Sequence, residues 1–184
     1  DAKATIEQIR GLEEAGADIV RVSCPDEDST AAMPEICRAA KVPIVADIHF
    51  KPEAALEAAK WVEKVRINPG NYADSKKFKI IEYSDDQYAA ELQRIRQRFT
   101  PLVRLCLERG IAMRIGTNHG SLSDRIMNRF GDSPEGMVES ALEHCRYMDE
   151  LAFDRYVVSL KDSHPRKVIE ANRRFSEARP DVPL

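Results

Sequence analysis

The sequence predicts an α/β fold, namely a (β/α)8 barrel of the TIM type that is incomplete here, with about five βα units. Segments with helical spacing of apolar residues alternate with short β-branched runs, which implies a parallel sheet with right-handed crossovers. The runs are mostly apolar, as is typical of strands covered on both faces. A doubly wound sheet fits the same alternation, but its dinucleotide-binding G-x-G-x-x-G fingerprint is missing. We therefore expect the barrel.

Composition limits the classes of protein to which the chain can belong. With 184 residues, 43% of them hydrophobic, the chain can bury a core, and its net charge of -3 gives no basis for a nucleic-acid or membrane partner. The cysteines form no C-x-x-C pair, so we expect reduced thiols and no metal site in this segment. No apolar run approaches the roughly 18 residues of a membrane span. We expect a cytoplasmic location, or the plastid stroma if the source is a plant.

The first half of the chain predicts three helix–strand repeats. Gly16 suits the left-handed position after the first helix, Ser29 and Thr30 can cap the second helix, and Pro52 suits the first turn of the third. The helices are predicted at about 4–15, 29–40 and 52–62, and the strands at 18–23, 42–50 and 64–70.

The second half begins with a long connection. An insertion is predicted at about 71–104, containing the basic run 76–79 and the start of a helix at 85–107 that Pro101 should kink or restart. A strand at 112–118 runs into a glycine-bearing turn, a short helical segment follows at 123–131, and Ser133 with Pro134 begins the next helix. The last strand is predicted at 154–161 and the last helix at 164–178.

Polar residues two positions apart end each of the five predicted strands. Side chains two apart share one face of a strand, and in a barrel that face can be the interior near the C-terminal rim, where active sites lie. The sets are Arg21 with Ser23, Asp47 with His49, Arg66 with Asn68, Arg114 with Gly116 and Asn118, and Ser159 with Lys161.

Charge balance indicates what this rim binds. Three arginines and a lysine would repel one another, and Asp47 is the only carboxylate that the pattern places among them. Each residue alone has a simpler explanation: an arginine can form a structural salt bridge, and His49 can be a hydrogen-bonded core histidine. Taken together, they favour a di- or polyphosphate ligand held by guanidinium groups, with Asn118 and the turn amides near Gly120 as neutral donors.

Four of these segments resemble the barrel domain of the 4-hydroxy-3-methylbut-2-enyl diphosphate synthase family. They are 17–23, 45–50, 66–71 and 114–122, and the resemblance spans essentially the whole chain. The connection after Asn71, including 79–83, resembles the larger variant of plants and some bacteria, which has an extra domain. The resemblance implies that 2-C-methyl-D-erythritol 2,4-cyclodiphosphate undergoes reductive ring opening, with electrons from reduced ferredoxin or flavodoxin passing through a 4Fe-4S cluster.

The family also implies residue roles. Arg21, Arg66, Arg114 and Lys161 match its anion-binding set, with His49 and Asn118 as hydrogen-bonding partners and Asp47 orienting them. Asn68, from the strand-end pattern, is the eighth expected substrate-binding residue. No catalytic residue is assigned to this segment. The cluster ligands of the family lie in a C-terminal domain, which this chain lacks, so the cysteines Cys24, Cys37, Cys106 and Cys145 are not expected to bind it. A homodimer is compatible with the family.

The segment is expected to be a fragment that spans strands two to six of the barrel and is inactive alone, because a full barrel needs about 250 residues. Two alternatives remain open from the sequence. One is a metal-free phosphate- or pterin-handling barrel enzyme similar to dihydropteroate synthase, and the other is a non-catalytic phosphate-binding barrel.

Overall fold

A computed structural model of the chain describes residues 1–74 and 82–184. None of the helices in these two ranges has the length and apolarity needed to cross a membrane. The elements follow in chain order: α1 Ala2–Glu14, β1 Val20–Cys24, α2 Glu27–Ala31, α3 Met33–Ala39, β2 Ile44–Ile48, α4 Pro52–Ala58, β3 Lys64–Ile67, α5 Pro69–Tyr72, α6 Asp85–Arg109, β4 Ala112–Asn118, a 3-10 turn His119–Ser121, α7 Asp124–Phe130, α8 Pro134–Glu150, β5 Tyr156–Lys161 and α9 Pro165–Ala178.

The five strands form one parallel sheet in the strictly sequential order β1-β2-β3-β4-β5. A doubly wound sheet would reverse its strand order at a switch point, whereas each strand here pairs with the next one along the chain. This order is that of an incomplete (β/α)8 barrel, and the predicted fold class is confirmed. On the other edge of β5, the amide of Val158 donates to the carbonyl of Pro183, near the end of the described chain, at 2.9 Å.

Side chains alternate between the two faces of the sheet, as the period of a strand requires. On β4, Met113 and Ile115 are fully buried beneath the helices, and α8 packs against this strand. Arg114 lies between them and points to the opposite face. The apolar half of each strand therefore builds the core, and the other half lines the interior of the barrel.

The helix predicted at about 29–40 is divided into two helices, α2 and α3. The predicted capping residues were also wrong. Asp26, not Ser29 or Thr30, caps α2: its carboxylate accepts a hydrogen bond from the Ser29 amide at 2.9 Å. The break follows because Pro34 has no amide hydrogen to donate to the preceding turn, so it begins α3 instead of continuing α2.

The predicted restart at Pro101 does not occur, because α6 runs through it as one helix of 25 residues. Pro101 has no amide hydrogen to donate to the carbonyl of Gln97, four residues earlier in the helix. Both residues lie on the exposed side of α6. The opposite side carries Phe99 and Leu102, both fully buried. Packing of that apolar side maintains the helix, since water can solvate the unpaired carbonyl on the other side.

Part of the predicted insertion at 71–104 forms α5 and α6, which connect β3 to β4. The basic run 76–79 lies outside the described residues, as do residues 79–81 of the segment with family resemblance. Two arginines of α7 contact the residues on either side of the segment 75–81. Arg125 contacts Asp74 at 2.8 Å on one side of residues 75–81, and Arg129 contacts Asp85 at 2.9 Å on the other.

Candidate functional site

The C-terminal ends of the strands surround an open cavity of about 480 Å³. Six of the eight predicted substrate-binding residues line it, and two others, His49 and Asn68, do not. The cavity is also lined by Ser159, which the strand-end pattern included, and by Thr117 and Leu160. The six predicted residues are Arg21, Asp47, Arg66, Arg114, Asn118 and Lys161.

Asp47 is shared by two of the arginines. Arg66 Nη1 donates to Asp47 Oδ1 at 2.8 Å, and Arg21 Nε lies 3.4 Å from Asp47 Oδ2. The Asp47 and Arg66 side chains are 10% and 17% exposed, whereas that of Arg21 is 55% exposed. The predicted orienting role of Asp47 fits this arrangement, because its two oxygens contact one partly buried and one exposed guanidinium.

Arg66 lies over Gly116 and needs the absence of a side chain there. Its Nη2 donates to the Gly116 carbonyl at 3.1 Å, and a Cβ atom on Gly116 would be 2.3 Å from Arg66 Nε. The glycine in the middle of β4 therefore makes room for a guanidinium from β3. Two hydrogen bonds, to Asp47 and to Gly116, fix Arg66 at the cavity wall.

Arg114 has a different environment from Arg66. Its Nε donates to Ser159 Oγ at 3.1 Å, and no carboxylate among the described residues forms an ion pair with it. Burial lowers the pKa of the Arg114 guanidinium, and the positive charges of Arg21 and Arg66 lower it further, with Asp47 opposing them. Arg114 is thus a partly buried cation whose neighbours are mostly cations.

The cavity walls carry a clear excess of positive charge. Arg21, Arg66, Arg114 and Lys161 face one carboxylate, that of Asp47. Such a group of cations is stabilised by a multiply charged anion, to which arginine can donate two parallel hydrogen bonds. The geometry agrees with the charge argument made from the sequence.

Sequence reasoning missed one further cation, Lys64 on β3. Burial and the nearby Arg114 lower the pKa of its ammonium group, so Lys64 is a cation close to Arg114, although it does not line the cavity. The signal was present in the sequence, because Lys64 and Arg66 are two residues apart and share a face of the strand.

Asn68 and the Gly120 turn serve the loops more than the cavity. Asn68 is buried, its Nδ2 donates to Ser121 Oγ at 2.6 Å, and its Oδ1 accepts from the Gly70 amide at 3.2 Å. The Gly120 amide, expected as a donor to the ligand, donates to Asn118 Oδ1 at 3.1 Å. These short-range bonds brace the loops after β3 and β4, and they leave the Asn118 Nδ2 group for the cavity.

His49 ends β2 beside β1. Its Nε2 lies 3.3 Å from Ser23 Oγ, and its ring meets Phe50 edge-to-face with centroids 6.0 Å apart. The side chain is half-buried, outside the lining of the cavity.

One group of residues among those described has the donor types for a metal ion: His119, Asp132 and Asp162. It lies just beyond the ends of β4 and β5. His119 Nε2 is 2.5 Å from Asp132 Oδ1, and Lys167 Nζ contacts the same oxygen at 2.5 Å. This group was not singled out from the sequence, because Asp132 comes from the loop between α7 and α8.

The four cysteines do not fit an iron–sulfur cluster. All are free thiols, three are buried, and they lie in separate elements. Burial raises the pKa of Cys24 to about 12, of Cys37 to about 11, of Cys106 to about 12 and of Cys145 to about 11. Cluster ligation requires thiolates on one surface, so these residues do not provide the site.

Comparison with known proteins gives a consistent result. A family model described as the GcpE TIM-barrel domain matches residues 1–184. The chain is 50% identical over 193 residues to the 4-hydroxy-3-methylbut-2-en-1-yl diphosphate synthase (flavodoxin) of Leptospira interrogans, covering 100% of the chain and 29% of that protein. It is 46% identical over 179 residues to the ferredoxin, chloroplastic form of Arabidopsis thaliana, covering 94% of the chain and 24% of that protein.

Among solved structures, a D-allulose 3-epimerase from Methylomonas sp. is similar with a TM-score of 0.52 and 12% identity. The match covers 95% of this chain and 65% of that one. At this identity the likeness concerns the fold alone.

Proposed function

The chain belongs to the GcpE TIM-barrel domain family, and on that basis we propose that it binds the substrate of a 4-hydroxy-3-methylbut-2-enyl diphosphate synthase. The proposed reaction is the reductive ring opening of 2-C-methyl-D-erythritol 2,4-cyclodiphosphate to 4-hydroxy-3-methylbut-2-enyl diphosphate. The observation that carries the proposal is the cavity with four cations and one carboxylate. The names of the curated relatives support it, and they favour it over a pterin-handling enzyme or a non-catalytic barrel.

Each cavity residue has a distinct proposed role. Arg114 and Lys161, which have no carboxylate partner among the described residues, bind phosphate oxygens directly. Arg66 presents a guanidinium already fixed by Asp47 and Gly116, and the exposed Arg21 closes on the ligand from the β1 side. Because the cavity is lined by binding groups, we assign no catalytic residue to this chain.

Asn118 adds an uncharged donor beside Lys161, since the two residues are register partners at the ends of β4 and β5. His49 and Asn68 act from the rim. His49 would contact the ligand from its position beside Ser23, and Asn68 holds together the loops after β3 and β4.

The redox part of the reaction requires groups that the cysteines of this chain do not supply. We propose that the 4Fe-4S cluster is bound by residues outside this chain and that reduced flavodoxin or ferredoxin delivers the electrons, as the names of the relatives suggest. The substrate-binding domain and the cluster must then meet, either within one longer chain or across a homodimer.

The test is the affinity of the full-length protein for the cyclic diphosphate. Arg114→Ala removes a charge-assisted hydrogen bond and should weaken binding by about 1.5–3 kcal/mol, which is roughly ten- to hundredfold in Kd. Isothermal titration calorimetry measures this change directly. Steady-state kinetics with reduced flavodoxin should show KM rising in the same direction.

Arg173→Ala is the matched control, because it removes the same charge from an exposed position of α9 that does not line the cavity. It should leave Kd unchanged. Equal affinity of wild type and Arg114→Ala would contradict the proposed role, and consumption of a pterin instead of the cyclic diphosphate would contradict the proposed function.

A further inference from the structure

A histidine and two aspartates lie directly beyond the cavity, at the ends of β4 and β5. Asn118 and Lys161 are register partners on these strands and both line the cavity. His119 and Asp162 are the next residue on each strand. Any contact between these two side chains therefore acts on the spacing of the two cavity residues that precede them.

The His119 ring lies between two carboxylates. Its Nδ1 is 3.7 Å from Asp162 Oδ2, and its Nε2 is 2.5 Å from Asp132 Oδ1. The Asp162 side chain is only 2% exposed. Asp162 Oδ1 accepts from the His164 amide at 2.8 Å, whereas Asp162 Oδ2 and His119 Nε2 are both buried and make no hydrogen bond with good geometry to the residues that the structure describes.

The Asp162 Oδ2 atom is therefore a buried carboxylate oxygen that points towards His119 without a donor in range. Such an oxygen is unfavourable unless a donor approaches it. His119 Nδ1 is the ring nitrogen on that side, and its distance of 3.7 Å is an ionic contact that is too long for a hydrogen bond.

The distances do not fit a metal ion held by these three residues. Two ligands that lie about 2.0–2.2 Å from one zinc ion in tetrahedral geometry are roughly 3.3 Å or more apart. His119 Nε2 and Asp132 Oδ1 are 2.5 Å apart, and the Lys167 ammonium already contacts that oxygen. The Lys167 contact is a charge-assisted hydrogen bond, so it already occupies the Asp132 oxygen that a metal ion would need.

We propose that His119 is a positioning residue for the anion cavity, an inference that rests on the proposed function of that cavity. Its ring lies after the end of β4 between Asp162, which follows β5, and Asp132 of the α7–α8 loop, which Lys167 of α9 also contacts. The β4–β5 ladder already aligns Asn118 with Lys161, and the ring between the two carboxylates keeps the strand ends in that arrangement, so that both residues reach the same phosphate group. His119 itself does not contact the ligand.

Two substitutions separate the two sides of the ring. In His119→Asn the carboxamide nitrogen takes the place of Nδ1 and retains the contact to Asp162, whereas in His119→Gln it takes the place of Nε2 and retains the contact to Asp132. We expect His119→Gln to weaken binding of inorganic pyrophosphate to the full-length protein at least about tenfold, and His119→Asn less than about threefold. In turnover, His119→Gln should raise KM for the cyclic diphosphate with little change in kcat, because binding groups alone are displaced.

His164→Gln is the matched control, since it makes the same exchange at an exposed histidine two residues beyond Asp162. Thermal unfolding by circular dichroism verifies that each variant is folded. If His119→Gln does not fold, Asp162→Ala tests the same contact and should give the same loss of affinity.

Three results would overturn the inference. Equal affinities of His119→Gln, His119→Asn and wild type would show that the ring positions nothing. Stoichiometric binding of Zn²⁺ or Mn²⁺ that His119→Gln abolishes would make the ring a metal ligand. Wild-type protein that fails to bind pyrophosphate or the cyclic diphosphate would overturn the proposed function and this inference with it, whereas wild-type binding that only Arg114→Ala weakens would overturn this inference alone.

Discussion

Neighbouring residues fix the positions of the charged side chains in the cavity. Gly116 leaves the space that Arg66 fills, Asp47 holds that arginine from the other side, and Ser159 accepts a hydrogen bond from Arg114. A substitution at a small, uncharged residue can therefore remove the function of a charged one.

Gly116→Ala should act through Arg66. The new Cβ atom would meet the Arg66 guanidinium, which must move and lose its bond to the Gly116 carbonyl. We expect pyrophosphate affinity to fall at least about tenfold, as for loss of one charge-assisted hydrogen bond.

Gly11→Ala is the control, because it adds the same methyl group inside α1 with no atom within 4 Å. It should leave affinity unchanged and raise the free energy of unfolding by about 0.5–1 kcal/mol, because alanine favours helix over glycine. An unchanged Kd for Gly116→Ala would show that Arg66 binds equally well from another position.

A buried histidine away from the cavity, His144, makes stability depend on pH. Burial lowers the pKa of His144 to about 4, with Arg125 lowering and Asp74 raising it. Its Nδ1 lies 3.1 Å from the Ser140 carbonyl, and its ring packs edge-to-face on Phe99. The folded protein therefore holds this ring in its neutral form.

The sign of the effect follows from the lowered pKa. The unfolded chain binds a proton near pH 6.5, but the folded protein does so only near pH 4, so the free energy of unfolding falls as pH falls through that interval. The contribution is about 3 kcal/mol at 1.36 kcal/mol per pKa unit. Urea unfolding between pH 4 and 8 should show a flatter profile for His144→Asn than for wild type, while the exposed His164→Gln keeps the wild-type slope.

At the level of elements, α7 organises the connection between β3 and β4. Arg125 on α7 is buried with Glu143 of α8 in a two-fold hydrogen-bonded pair at 2.7 Å, and it also contacts Asp74 at 2.8 Å. The same guanidinium lies 4.3 Å from the ring centroid of Tyr88 on α6, whose hydroxyl donates to Glu143 at 2.7 Å. One side chain thus joins three helices to the residues after α5.

Arg125→Ala would remove the cation that contacts both buried carboxylates and would leave Glu143 with a buried charge that Arg125 no longer balances. We expect the free energy of unfolding to fall by about 3–5 kcal/mol, the usual effect of breaking a buried ion pair from one side. Arg146→Ala removes an arginine that pairs with Glu139 on the exposed side of α8, and it should cost about 0–1 kcal/mol. Urea unfolding of both variants compares them, and similar losses would mean that the Arg125 network is not the stronger contact.

The elements differ in how far their sequence predicts them. Strand ends were predictable because a period of two places Arg114, Gly116 and Asn118 on one face whatever the neighbours are. The division of α2 from α3 was missed because Asp26 and Ser29 are both good caps, and Pro34 decides between them only when its role at the start of α3 is recognised. Continuity through Pro101 depends on burial of the opposite side of α6, which a local pattern does not contain.

Some contacts of the site could not be predicted either, because they join residues that are distant in the sequence. The bond from Asn68 to Ser121 joins two loops, and the contact from His119 to Asp132 reaches the loop that follows α7. Residue types and spacing within a strand identified most of the cavity, whereas contacts between loops needed the three-dimensional structure.

For the whole molecule, net charge and local charge have opposite signs. The chain carries -3 overall, the same sign as its proposed ligand, while the cavity gathers four cations around Asp47. Attraction must then come from the cavity alone, at short range.

Salt should therefore weaken binding strongly. Between about 0.05 and 0.5 M KCl the screening length falls from above to below 10 Å, so Kd for pyrophosphate should rise steadily. Arg114→Ala should flatten this dependence, and Arg173→Ala should retain it. A Kd that is independent of salt in the wild type would contradict electrostatic attraction as the source of affinity.

The two arginines that share Asp47 differ in conformational entropy before any ligand is present. An arginine side chain carries about 2 kcal/mol of rotamer entropy when free. Arg66 has already given up this freedom on folding, because Asp47 and the Gly116 carbonyl fix it, whereas the largely exposed Arg21 retains more of its own. Ligand contacts of Arg66 therefore add to affinity with little ordering loss. Those of Arg21 are reduced by the entropy that it still has to lose, so Arg66 is the stronger anchor of the pair.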